Sequence, residues 1–111
     1  YMWEIGYFVS NSGKSPIPDF ILNLDPNQKT KIIYCIRLLK EYGSNIREPH
    51  SKKLTGYSNL FELRTSGSGQ VRILYTRQGN RFILLHAFIK KTNKTPRKEI
   101  EVGLTRLNIT T

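Results

Sequence analysis

The sequence predicts an α+β fold in the order β-α-α-β-β-β-α, and three observations carry that prediction. Proline-led helix starts recur at Ser15-Pro16, Asp25-Pro26 and Thr95-Pro96. Between residues 60 and 89, three runs rich in β-branched and aromatic residues are separated by Ser66-Gly67-Ser68-Gly69 and Gln78-Gly79-Asn80. No repeat, low-complexity tract or linker interrupts the 111 residues, so one domain spanning 1–111 with a single core is expected.

Each element has its own signal. Residues 3–9 are aromatic-rich and partly alternating, as a first strand requires, and Asn11-Ser12-Gly13 ends it. Ser15 then reads as an N-cap and Pro16 as the first residue of a short helix through Phe20, Ile21 and Leu24. Asp25-Pro26-Asn27-Gln28 repeats that signal, with Gln28 placed for a capping box. Ile32, Ile36 and Leu39, adjoined by Ile33 and Tyr42, follow at spacings of three and four, and Gly43 supplies the stop. Lys52-Lys53-Leu54 adds a short lead-in strand before a three-stranded antiparallel meander over residues 60–65, 70–76 and 81–89. Thr95 caps a last helix opened by Pro96 and carrying Ile100, Leu104 and Leu107. The helices are expected to pack on one face of an antiparallel sheet and to leave the other open.

Charge is the second strong signal. Eighteen Lys and Arg stand against eight Asp and Glu, a formal charge of +10. Residues 1–51 are nearly balanced at +1, whereas residues 52–111 carry +9. From Leu63 to Lys98 there are nine basic residues and no carboxylate. Like charges this close repel in the compact state, and a polyanion is the partner that relieves the repulsion. No apolar run approaches a bilayer span, so no membrane partner is expected. Tyr1-Met2-Trp3-Glu4-Ile5 does not read as a signal peptide. The single Cys35 has no disulfide partner and suits the reducing cytoplasm. One Cys and two distant His, His50 and His86, offer no metal-ligand spacing, and no phosphate-cradling Gly motif opens a helix, so no cofactor is expected.

Strand alternation turns the basic residues into a surface. If Phe61, Leu63, Val71 and Ile73 face the core, then Glu62, Arg64 and Arg72 share the open face, bordered by Lys52, Lys53, Lys90 and Lys91. That face reads as an RNA-binding concavity, with an ordinary solvated sheet face as the alternative. His86, in phase with Phe82, Leu84 and Phe88, reads first as a satisfied core histidine and second as a site-lining acid or base.

Four segments then stand in a telling order: Lys52-Lys53-Leu54-Thr55-Gly56, Leu60-Phe61-Glu62-Leu63-Arg64, Val71-Arg72-Ile73-Leu74-Tyr75, and His86-Ala87-Phe88-Ile89-Lys90-Lys91-Thr92-Asn93-Lys94-Thr95-Pro96. They resemble the phage-derived HigB branch of the RelE/ParE toxin superfamily over about residues 3–108. Two features depart from that pattern. Gln70-Val71-Arg72 stands where Tyr-Arg is common, and no tyrosine follows Tyr75 to stack a base. The resemblance implies a type II toxin of RelE-like fold that enters the ribosomal A site and cuts mRNA, held inactive by a cognate helix-turn-helix antitoxin.

Metal-independent cleavage of RNA needs a base for the 2′-hydroxyl, cations for the transition state and an acid for the leaving oxygen. Arginine stays protonated, so Arg64 and Arg72 are candidates for phosphate binding and transition-state stabilisation. Neighbouring cations lower a lysine pKa, which makes Lys91 and Lys90 candidate proton-transfer groups, with His86 and Glu62 as further bases. Lys52, Lys53, Arg77, Arg81, Lys94, Arg97 and Lys98 are candidate nucleic-acid-binding residues. Two other activities share the expectation of a basic sheet: a ParE-like gyrase-inhibiting toxin, and a non-toxic RNA-binding module.

Overall fold

The computed structural model describes residues 3–46, 50–67, 69–91 and 94–110. Tyr1 and Met2, Ser68 of the Gly-rich turn, and Thr92 and Asn93 of the basic motif lie outside the described residues. The elements are β1 (Glu4–Tyr7), α1 (Pro16–Leu22), α2 (Pro26–Tyr42), β2 (Ser51–Lys53), β3 (Phe61–Arg64), β4 (Gln70–Gln78), β5 (Arg81–Lys90) and α3 (Arg97–Thr110), with a 3₁₀ turn over Gly43–Asn45. The strands form one sheet in the order β1-β5-β4-β3-β2.

Two expectations are corrected. β1 runs parallel to β5, Glu4 opposite Arg81 and Tyr7 opposite Leu84, so the sheet is mixed rather than antiparallel. A strand followed by a two-helix crossover escapes the hairpin constraint that fixes the direction of β2 to β5. The helices also divide between the faces. α1 and α2 close a core of Ile17, Ile32, Cys35 and Leu39 over Leu63, Val71, Ile73, Tyr75, Phe82 and Leu84. α3 closes a second core on the opposite face, where Ile100, Leu104 and Leu107 meet Leu74, Ile83, Leu85 and Phe88. Residues 71–76 of β4 are buried without a break, as expected of a strand covered on both faces.

A bulge explains the packing of β5. Leu74 lies opposite His86, while the next residue, Tyr75, lies opposite Leu84, so Leu85 is the extra residue. Phe82 and Leu84 therefore face α1 and α2, whereas Phe88 faces α3, and His86 is in phase only with the latter.

The helix starts fall where the prolines put them, with one exception. The Asp25 carboxylate accepts the Gln28 N–H at 2.9 Å, a formed N-cap. The Gln28 side chain does not close a capping box; its amide donates to the Gly69 carbonyl at 2.8 Å and ties α2 to the β3–β4 turn. Pro96 precedes α3 instead of opening it, and Thr95 turns its hydroxyl toward Glu62. On α2, Cys35 takes a buried position between Ile32 and Leu39, while Ile33 and Tyr42 are exposed. Gly43 closes α2 at φ +57°, and Trp3 packs against it so closely that a Cβ there would lie 2.0 Å from the indole Cε2. Among the described residues, no helix is long and apolar enough to cross a membrane.

Candidate functional site

Register builds a charged row at one end of the sheet. Lys52 lies opposite Glu62, Arg64 opposite Arg72, and Gln70 opposite Lys90. Period-two alternation then sends these side chains to the α3 face. That face is not open, as the sequence suggested. Glu62 is fully buried and Arg72 is nearly so, because α3 and the Thr95 segment lie over them.

Glu62 organises the row. Its Oε1 accepts the Nε–H of Arg64 at 3.1 Å and lies 3.9 Å from Nε of Arg72. Its Oε2 accepts the Thr95 hydroxyl at 2.6 Å. Arg72 donates from Nη2 to the Gln70 side chain, while its buried Nε has no hydrogen-bond partner among the described residues. Burial and the neighbouring Arg64 lower the Arg72 pKa, with Glu62 opposing, yet a guanidinium stays charged. Lys90 is lowered first by burial and then by Arg72, with Arg64 and Lys52 adding and Glu62 opposing. Four cations thus surround one carboxylate, and the excess positive potential is fixed in place by the sheet.

The remaining predicted residues scatter. Lys53 is exposed on β2, and Lys91 is exposed immediately after β5. Lys94 and Lys98 are exposed on the segment leading into α3 and on its first turn, where Arg97 pairs with Glu101 at 3.4 Å. Arg77 and Arg81 sit at the far end of β4 and β5, about 17 Å from Arg72 along the strand. There the Arg77 guanidinium lies 4.8 Å from the centre of the Trp3 ring and its Nε donates to the Gly79 carbonyl at 2.8 Å. His86 is held apart from the row. Arg106 donates to the Leu85 carbonyl at 2.8 Å and lies 3.4 Å from His86 Nδ1, which leaves Nε2 to donate to Glu99 at 2.8 Å. The ring stacks on Phe88, so His86 is a satisfied residue docking α3 onto β5.

One part of the site has no counterpart in the sequence reading. Beside the row is a cavity of about 370 Å³ between α2 and the end of the β3–β4 hairpin, where Tyr34, Cys35 and His50 meet Arg64 and Arg72. The Lys31 ammonium donates to the Ser66 carbonyl at 3.1 Å and helps Gln28 pin the hairpin to α2. The Cys35 thiol donates to the Arg64 carbonyl at 3.1 Å, and burial pushes its pKa up to about 11, so it is an uncharged wall at neutral pH. Lys31 and Tyr34 are surface residues of an amphipathic helix in the sequence; only the packing of α2 on the hairpin brings them to the arginines. Among the described residues no group of three or more His, Cys, Asp or Glu is arranged to hold a metal ion.

Fold and charge together define a small, strongly basic α+β protein whose cations gather around a buried carboxylate at one end of a mixed sheet. The profile of the phage-derived Gp49-like proteins (DUF891) matches residues 19–108, and the chain belongs to that family, one of RelE/HigB-like toxins. No curated protein matches the chain.

Proposed function

We propose that this protein is the toxin of a type II toxin–antitoxin system, a RelE-like fold of the HigB branch that cuts mRNA in the ribosomal A site. The observation that carries this reading is the row of Arg64, Arg72 and Lys90 ordered around buried Glu62. Cleavage follows the metal-independent route. The strand's 2′-hydroxyl attacks the adjacent phosphorus, its proton passes to a base, and the 5′-oxygen leaves with a proton from an acid, giving a 2′,3′-cyclic phosphate and a 5′-hydroxyl. Arg64 and Arg72 hold the non-bridging oxygens as charge builds on them. Lys90, lowered by its surroundings, exchanges protons more readily than a free lysine. Lys91, Lys52 and Lys53 anchor flanking phosphates. Glu62 is a positioning residue, since both its oxygens are occupied by Arg64, Arg72 and Thr95. The protein acts in the cytoplasm, where a cognate helix-turn-helix antitoxin holds it inactive.

Cell-free translation of a reporter mRNA tests the reading. The wild-type protein is expected to yield fragments whose ends keep codon phase, and to leave the same mRNA whole without ribosomes. Arg64→Ala and Lys90→Gln are expected to lose about 100-fold in cleavage rate. Uncut mRNA in translating extract overturns the reading, and inhibition of gyrase supercoiling by the same preparation replaces it with the ParE-like alternative.

A further inference from the structure

The cavity beside the row has two chemically different sides. One is cationic, formed by Arg64 and Arg72. The other is aromatic and uncharged, formed by Tyr34 and Cys35 with His50. Tyr34 is half exposed although its helix neighbours Ile32 and Cys35 are buried, so the ring contributes little to the core. Its one ring contact is edge-on, to His50 at 6.0 Å between centroids and 76° between planes, a geometry that leaves the faces of the tyrosine ring uncovered by that partner. A second observation points to a ligand here. Arg72, with a side chain only 8% exposed, lines the same cavity and has its Nε unpartnered among the described residues. A cavity of about 370 Å³ is at the small end of ligand sites, suited to one ring system and not to a folded partner. A flat aromatic group joined to an anion satisfies both sides at once, and a nucleobase on its phosphate is that group.

We propose that this cavity is a nucleobase seat, in which Tyr34 stacks a base of the RNA strand whose neighbouring phosphate is held by Arg64 and Arg72. The proposal rests on the ribonuclease reading for the identity of the strand, and it deepens that reading by supplying a stacking residue from α2. Stacking is sequence-tolerant because every base has a π-face, so the seat orients the strand and selects weakly among bases. The phenol hydroxyl plays no part in it.

Competition binding tests the seat. A fluorescein-labelled hexaadenylate is displaced from the full-length protein either by unlabelled hexaadenylate or by a ribose-phosphate hexamer of the same length without bases. The wild type is expected to prefer the base-bearing oligomer by about tenfold. Tyr34→Phe is expected to keep that preference and Tyr34→Ala to lose it, with an unchanged salt dependence, because no charge is removed. Tyr34 is half exposed, so both variants are expected to keep the wild-type circular dichroism and thermal midpoint. Equal binding of the two oligomers by the wild type, or a preference that survives Tyr34→Ala, overturns the seat. The two readings fail separately. If mRNA stays whole in translation while the Tyr34-dependent preference is present, the ribonuclease reading falls and the seat stands. If Tyr34→Ala cuts mRNA at the wild-type rate and keeps the preference, the seat falls and the ribonuclease reading stands.

Discussion

Glu62 is the residue on which the charged row depends, and its burial makes its removal costly in a particular way. Replacing it with alanine leaves Arg72 in a nearly dry site with no counter-charge at Nε. Breaking a buried pair from one side costs about 3–5 kcal/mol, so Glu62→Ala is expected to lower the urea midpoint by that equivalent. Glu62→Gln keeps an acceptor for Thr95 and is expected to lose less. A loss under about 1 kcal/mol for Glu62→Ala would show that the arginines are solvated without it. Lys90 acts in the opposite sense. Its pKa is depressed by burial and by Arg72, so it sheds its proton at a lower pH in the folded protein than in the unfolded chain. Between those two values the unfolded chain holds more protons, and stability rises with pH. Removing the charge at neutral pH relieves the same penalty. Lys90→Gln is therefore expected to raise the thermal midpoint by about 2–4 °C at low salt, with the gain shrinking at high salt. The same variant is expected to lose mRNA cleavage, the signature of a destabilised functional group. Alternation alone placed Glu62, Arg64 and Arg72 together, because a short strand pair without a bulge preserves its phase. His86 was misphased for the converse reason: the extra Leu85 shifts every later side chain of β5 by one.

At the scale of elements, what was legible is what short-range chemistry controls. Asp25-Pro26 starts α2, Gly43 ends it, and Gly79 turns β4 into β5, each through a backbone preference confined to a few residues. The parallel pairing of β1 with β5 and the crossing of α3 to the second face depend on residues far apart in sequence. One signal for the second core was present. Leu74 and the run Ile83-Leu84-Leu85 put apolar groups on both faces of β4 and β5, the mark of strands covered twice. Gly103 completes that packing, since a Cβ there would come within 2.8 Å of the Leu74 side chain. The Gly43 junction provides the stronger test. A side chain at φ +57° is strained, and its Cβ would collide with the indole of Trp3 at 2.0 Å. Gly43→Ala is expected to cost about 3 kcal/mol in chemical denaturation, from backbone strain and overpacking together. Gly103→Ala meets only the movable end of a leucine and gains helix propensity, so it is expected to change stability by less than about 1 kcal/mol. Equal losses at the two glycines would mean that Trp3 moves aside and does not brace the end of α2.

For the whole molecule, the sequence placed the excess charge in the second half, and the fold divides it again between two ends of the sheet. Lys52, Arg64, Arg72 and Lys90 gather at one end with Lys91 just beyond β5, whereas Arg77 and Arg81 lie at the other, where Arg77 covers Trp3. Uniform electrostatic attraction of a +10 protein and engagement of one end predict different salt dependences. Each phosphate neutralised on a single strand contributes about −0.7 to the slope of log K against log salt. Five cations acting at the row therefore give a slope near −3.5, well short of what all eighteen basic residues would produce. Binding of a short single-stranded RNA, titrated between low and physiological salt, is expected to show that slope. Lys91→Ala is expected to reduce its magnitude by about 0.7, while Arg81→Ala leaves it unchanged, because its guanidinium is beyond a Debye length from the row at physiological salt. Equal reductions by Lys91→Ala and Arg81→Ala would mean that RNA spreads over the entire basic surface. The row would then be one part of a diffuse field and not the place where the strand is held.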